Sequence, residues 1–116
     1  MPSTTSYKQG DVVLVSFPFT DLTSSKRRPA LVVSPDSFNA AGEDVILAAI
    51  TSQITGDQHA ILLSRDDFAD GQLPKKSVVK PTELFTMHSS LIIKKVCGLK
   101  RGKTEEVLRS VQRFFS

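Results

Sequence analysis

With 116 residues, 40% of them hydrophobic, the chain can bury a core without disulfides or metals; one domain over residues 1–116 is expected, flexible over residues 1–8. The single cysteine, Cys97, excludes an internal disulfide and fits a reduced, cytoplasmic setting; there is no metal-ligating Cys/His cluster, no signal-peptide pattern, and no apolar run near the roughly 20 residues of a membrane span. The formal net charge of +3 is modest but uneven: acids predominate across residues 36–70, whereas Lys75, Lys76, Lys80, Lys94, Lys95, Lys100, Arg101 and Lys103 face only Glu83, which points to a polyanionic partner, with a solvated basic face opposite the acids as the equal alternative.

In chain order, Gly10-Asp11 reads as a turn into a β-branched strand over residues 12–17 that Pro18 ends. Residues 19–26 are polar and aperiodic, a surface loop. A second strand follows over 30–34, then an exposed connection over 36–44 and a third, most apolar strand over 45–51. Residues 59–63 read as a fourth strand, 65–70 as a single helical turn, 77–80 as a fifth strand closed by Pro81, and 84–87 as a sixth that pairs with residues 91–96. The period then changes. Val107, Leu108, Val111, Phe114 and Phe115 form the stripe of an amphipathic helix, with Thr104 as its N-cap and Glu105 and Glu106 in its first turn. Short strands closed by one helix predict a mainly β (α+β) fold, a strongly bent antiparallel sheet or partly open barrel with the C-terminal α-helix packed against it.

One stretch stands out. In Lys26-Arg27-Arg28-Pro29-Ala30-Leu31-Val32-Val33, cations run directly into a strand that must be buried on at least one face, so Arg28 is an anchored cation at the strand's mouth. Its planar fork suits two phosphate oxygens, and the plain alternative is an ion pair with Asp21 or Glu83. Lys26, Arg27, Lys80, Lys94 and Lys95 are candidates for sequence-neutral phosphate contacts. Phe17, Phe19 and Phe38 are candidates for stacking on unpaired bases, although Phe17 is better suited to a core and Phe19 equally suited to either; Phe85, Phe114, Phe115 and Cys97 read as core. His59 and His88 titrate in a useful range, but nothing in the sequence places them near Arg28.

Taken together, Gly10-Asp11-Val12-Val13, Lys26 through Ser34, Ala48-Ala49-Ile50-Thr51-Ser52-Gln53, Ser77-Val78-Val79-Lys80 and Leu84-Phe85-Thr86 resemble, in order and spacing, the MazF/PemK toxins of type II toxin-antitoxin systems. The resemblance implies an SH3-like barrel with a C-terminal helix, a homodimer, and a metal-independent, cofactor-free endoribonuclease acting on single-stranded RNA. It also implies a cognate antitoxin whose acidic tail occupies the RNA groove. The family's catalytic arginine falls on Arg28 and its catalytic threonine on Thr51. Ser52, Gln53 and Glu83 join Lys26, Arg27, Phe19 and Lys80 as candidate substrate contacts. Some motifs differ. Thr23 and Ser24 stand where many members have Glu-Gln; Lys80-Pro81-Thr82 stands where one branch of plasmid toxins has an Arg-x-Asp pair, and that branch's first-loop histidine is missing.

RNA cleavage by the 2′-hydroxyl requires a base, a cation for the phosphorane and an acid for the leaving oxygen. Thr51 cannot be the base, but its hydroxyl can hold the phosphate or the attacking group; otherwise it satisfies a neighbouring backbone group. Asp21 is the acidic candidate of the Phe17-Pro18-Phe19-Thr20-Asp21-Leu22 loop form, either as base or as a structural partner of the arginines. Two other readings stay open: a non-catalytic, CcdB-like inhibitor of gyrase, and a degenerate member that keeps only nucleic-acid binding.

Overall fold

In the computed structural model, which describes residues 6–18, 25–54 and 56–116 (backbone alone at 17, 18, 25 and 26), the first β-branched run forms β1 (Asp11–Pro18). It is followed by β2 (Ser25–Val32), α1 (Asp36–Ala41), β3 (Asp44–Thr51), β4 (Ile61–Leu63), β5 (Phe68–Asp70), β6 (Ser77–His88), β7 (Ile92–Leu99) and α2 (Arg101–Phe114). The strands make one antiparallel sheet in the order β4-β6-β3-β2-β1-β7-β5. It curls into a half-barrel.

Neighbouring residues of a strand face opposite ways, and here both faces are covered. On one side Val12, Leu31, Ala48, Ile50, Val79, Cys97 and Leu99 pack with Val107 of α2; on the other Val13, Val15, Ala30, Val32, Leu47, Met87 and Ile92 pack together. That is why β1 and β3 read as continuous apolar runs. Glycine is required at residue 10, where φ is +100°. Its N–H donates to the Val32 carbonyl and its own carbonyl accepts from Leu99 N–H, both at 2.9 Å, so one residue joins β2 and β7 to the start of β1. Lys95 adds an ionic tie, 3.5 Å from both Asp11 and Asp70; partial burial works against its charge, but the two carboxylates outweigh that and raise its pKa.

Several expectations are corrected. The connection over 36–44 contains α1, held by the buried Asn39, whose Nδ2 donates to the carbonyls of Tyr7 (2.9 Å) and Ser34 (3.2 Å) while Oδ1 accepts from Ser34 Oγ. β2 begins at Ser25 rather than residue 30, because pairing with β1 (Pro18↔Ser25, Val15↔Arg28) extends a polar stretch that lacks strand propensity of its own. Arg28 therefore lies inside a strand. β5 follows a single 3-10 turn at Arg65–Asp67 and pairs with β7. Pro81 does not end a strand: β6 runs through it, since Pro81, Thr82 and Glu83 form a bulge between the pairs Ala49↔Lys80 and Ala48↔Leu84, where no ladder N–H is needed.

Nor does β7 pair with β6; it lies between β1 and β5. α2 starts at Arg101, one turn earlier than expected, so Thr104 is no cap. It is buried within the helix and its hydroxyl donates to the Lys100 carbonyl at 3.1 Å, which also leaves Glu105 and Glu106 beyond the first turn. Phe114 and Phe115 are exposed at the end of the helix, and Phe114 meets His59 edge-on. Among the described residues no helix is long and apolar enough to cross a membrane.

Candidate functional site

β2 and β3 pair through Val32↔Leu47, Leu31↔Ala48 and Ala30↔Ala49, and then part. Pro29 sits at the fork, where a missing N–H breaks no ladder bond. Two residues further along the same register, Arg28 of β2 faces Thr51 of β3 across the opening. Thr51 is held on its other side by Val78 of β6, and its hydroxyl accepts from Gln53 N–H at 3.1 Å, which turns the chain away from the strand. Arg28 is half-buried, with Nε closed off from solvent.

The fork separates two cavities, of about 550 Å³ and about 490 Å³, that share Arg28, Pro29, Ile50, Thr51 and Gln53 as their common wall. The first continues along Ala49, Leu84 and Phe85 to Lys80 and Glu83, which the β6 bulge delivers. Lys80 Nζ lies 2.7 Å from Glu83 Oε2 and 3.9 Å from Asp57, and the hydrogen bond and charge of Glu83 raise the lysine's pKa. The second cavity is of opposite character. Arg27, Lys75 and Lys94 ring it beside Arg28, with Leu14, Leu73, Pro74 and Val96 below them, and among the described residues those three cations make no ion pair.

The structure thus brings together Arg28, Thr51, Gln53, Lys80 and Glu83 on one side of the fork, and Arg27 and Ser52 with Arg28, Thr51 and Gln53 on the other. Arg27 and Ser52 are exposed at the rim. Lys95 is not part of either cavity, being tied to Asp11 and Asp70. Phe38 is exposed on α1 and lines neither cavity, and Phe85 is a cavity wall as much as a core residue. His59 and His88 are likewise outside the fork; His88 bonds Glu43 (3.0 Å) and Ser90 (2.7 Å) at the end of β6. Asp21 and Phe19 lie outside the described residues, as do the side chains of Phe17 and Lys26. Sequence reasoning missed Leu73 and Pro74 and counted Lys75 only within the basic stretch; the signal was a proline-lysine pair just ahead of β6.

A curled antiparallel sheet with one C-terminal helix packed on it, and a cation-lined fork between its second and third strands, defines a small half-barrel protein with a basic cleft. The chain belongs to the PemK-like, MazF-like toxins of type II toxin-antitoxin systems, whose family model matches residues 8–115. No curated protein sequence matches it. Solved structures share the fold over nearly the whole chain. An endoribonuclease from Mycobacterial species is 12% identical with a TM-score of 0.75, covering 97% of this chain and 93% of that one. MazE-MazF from Deinococcus radiodurans is 20% identical with a TM-score of 0.77, covering 95% and 96%. An endoribonuclease in complex with its cognate antitoxin, again from Mycobacterial species, is 14% identical with a TM-score of 0.71, covering 95% and 92%.

Proposed function

We propose that the protein is a toxin that cleaves single-stranded RNA at the fork, by attack of a ribose 2′-hydroxyl on the adjacent phosphate and without a metal ion. The observation that supports this most directly is the opposition of Arg28 and Thr51 between the first, partly apolar cavity and the cationic trough of the second. The trough of Arg27, Lys75 and Lys94 tracks the backbone and seats the scissile phosphate against Arg28. Its guanidinium, restrained by burial of Nε, is set before reaction to receive the charge that grows on the phosphorane oxygens. The Thr51 hydroxyl, fixed by the Gln53 N–H, holds a phosphate oxygen or the attacking 2′-hydroxyl in line. Asp21, in the connection between β1 and β2, is the candidate proton acceptor.

Neighbours of the same fold include MazE-MazF and an endoribonuclease with its antitoxin. An acidic antitoxin segment laid along the same cationic trough, on a homodimer of this chain, belongs to this reading.

The test is incubation of the purified protein with long single-stranded RNA in EDTA. Discrete cuts are expected, with 2′,3′-cyclic phosphate ends, and Arg28→Ala is expected to slow them by about a hundredfold or more. Products ending in a 3′-hydroxyl rule out 2′-hydroxyl attack, and an Arg28→Ala variant that cuts at the wild-type rate removes the arginine from the mechanism.

A further inference from the structure

Cavity volume, apolar walls and a paired donor and acceptor make the first cavity a receptor for a flat, edge-polar ring. About 550 Å³ is room for one nucleobase with its sugar, Pro29, Leu84 and Phe85 supply apolar and aromatic walls, and the polar groups of the β6 bulge converge at one end. The Lys80–Glu83 pair presents a cluster of N–H donors directly beside a carboxylate. Glu83 is 53% exposed at its side chain, so engaging Lys80 at 2.7 Å leaves the carboxylate open to a ligand.

Resting on the nuclease reading above, we propose that this cavity reads a guanine flanking the cleaved linkage, with Glu83 as the specificity-determining residue and Lys80 as its partner. A carboxylate has two parallel acceptors, and guanine is the one common base whose pairing edge carries two adjacent donors, N1–H and N2–H. Beside them lies O6, an acceptor, where Lys80 Nζ donates. Adenine, cytosine and uracil each place an acceptor against one carboxylate oxygen and are refused for that reason. The bulge makes this arrangement possible: Lys80 is the last paired residue before it and Glu83 the third of its three residues without partners on β3, so both side chains enter the cavity from a single kink.

Two measurements test it. Cut sites of the wild-type protein on a randomised RNA pool should show guanine fixed at one position beside the cut. Glu83→Gln, which trades one acceptor for a donor, should lower cleavage at those sites by about tenfold or more relative to other sites. In parallel, amide NMR titrations with the four nucleoside monophosphates should show guanosine monophosphate bound tightest, with shifts confined to the first cavity, and Glu83→Gln should abolish that preference. Wild-type cutting with no guanine requirement, or a preference unchanged in Glu83→Gln, overturns the proposal while the nuclease reading stands. Absence of any cutting overturns the nuclease reading, and the titration then decides the pocket alone: selective binding supports it, equal binding of all four nucleotides refutes it.

Discussion

Four cations, Arg27, Arg28, Lys75 and Lys94, line the second cavity, and their number sets a measurable quantity. Each phosphate charge neutralised on a single strand releases counterions worth a slope of about −0.7 in log K against log salt, so the full set gives about −3. Affinity should then fall by about fifty-fold between roughly 50 and 200 mM salt. Lys94→Gln should reduce the slope to about −2, a loss of about twenty-fold over the same range, and Lys75→Gln should do the same. The assay is fluorescence anisotropy with a labelled 2′-O-methyl RNA, which binds but lacks the attacking hydroxyl. Lys95→Gln is the control, because Lys95 is tied to Asp11 and Asp70 away from the cavity. A wild-type slope shallower than about −1, or an equal change in Lys95→Gln, would refute the assignment of the trough.

Gly10→Ala forces a side chain into a left-handed conformation and sets its Cβ 2.9 Å from Thr104 Oγ1. Strain of about 1–2 kcal/mol plus about 1 kcal/mol for the disturbed Thr104 bond should lower the melting temperature by about 10 °C, part of it recovered in a double variant with Thr104→Ala. Burial pushes the Cys97 thiol up from 9.0 to about 11, with Asp70 adding to the shift and Lys95 opposing it. From about pH 9 upward the unfolded thiol ionises first, so stability present below that pH is lost toward pH 11, by up to about 3 kcal/mol. Urea midpoints across this range should fall less steeply in Cys97→Ala than in the native chain.

The strands that bury both faces were legible because Val12, Val13, Val15, Leu47, Ala48 and Ile50 leave no other state open to them. Elements made by their neighbours were not. Residues 25–28 are polar and become strand only when β1 lies alongside. Pro81 reads as a terminator in any local rule, and its tolerance depends on a bulge that only the pairing of β3 with β6 reveals. The five-residue apolar stripe correctly located α2, but the core contacts are made by Val107, Leu108 and Val111, and Phe114 and Phe115 at its end are exposed. At the site, family resemblance singled out Arg28 and Thr51. Their juxtaposition follows from the register Ala30↔Ala49, which pattern alone does not fix. Lys75 and Lys94 are 19 positions apart and come to line one cavity only in the folded sheet.

The β6 bulge separates two tasks that one strand would otherwise have to combine. Ladders on both sides of it are fixed by Ala48 and Ala49, whereas Thr82 and Glu83 are bound to neither. Exchange of Glu83 changes what faces the first cavity, and exchange of Thr82 what faces the end of α2, without crossing a ladder. Side chains at this spot can thus be changed while the sheet that holds Arg28 opposite Thr51 keeps its pairing.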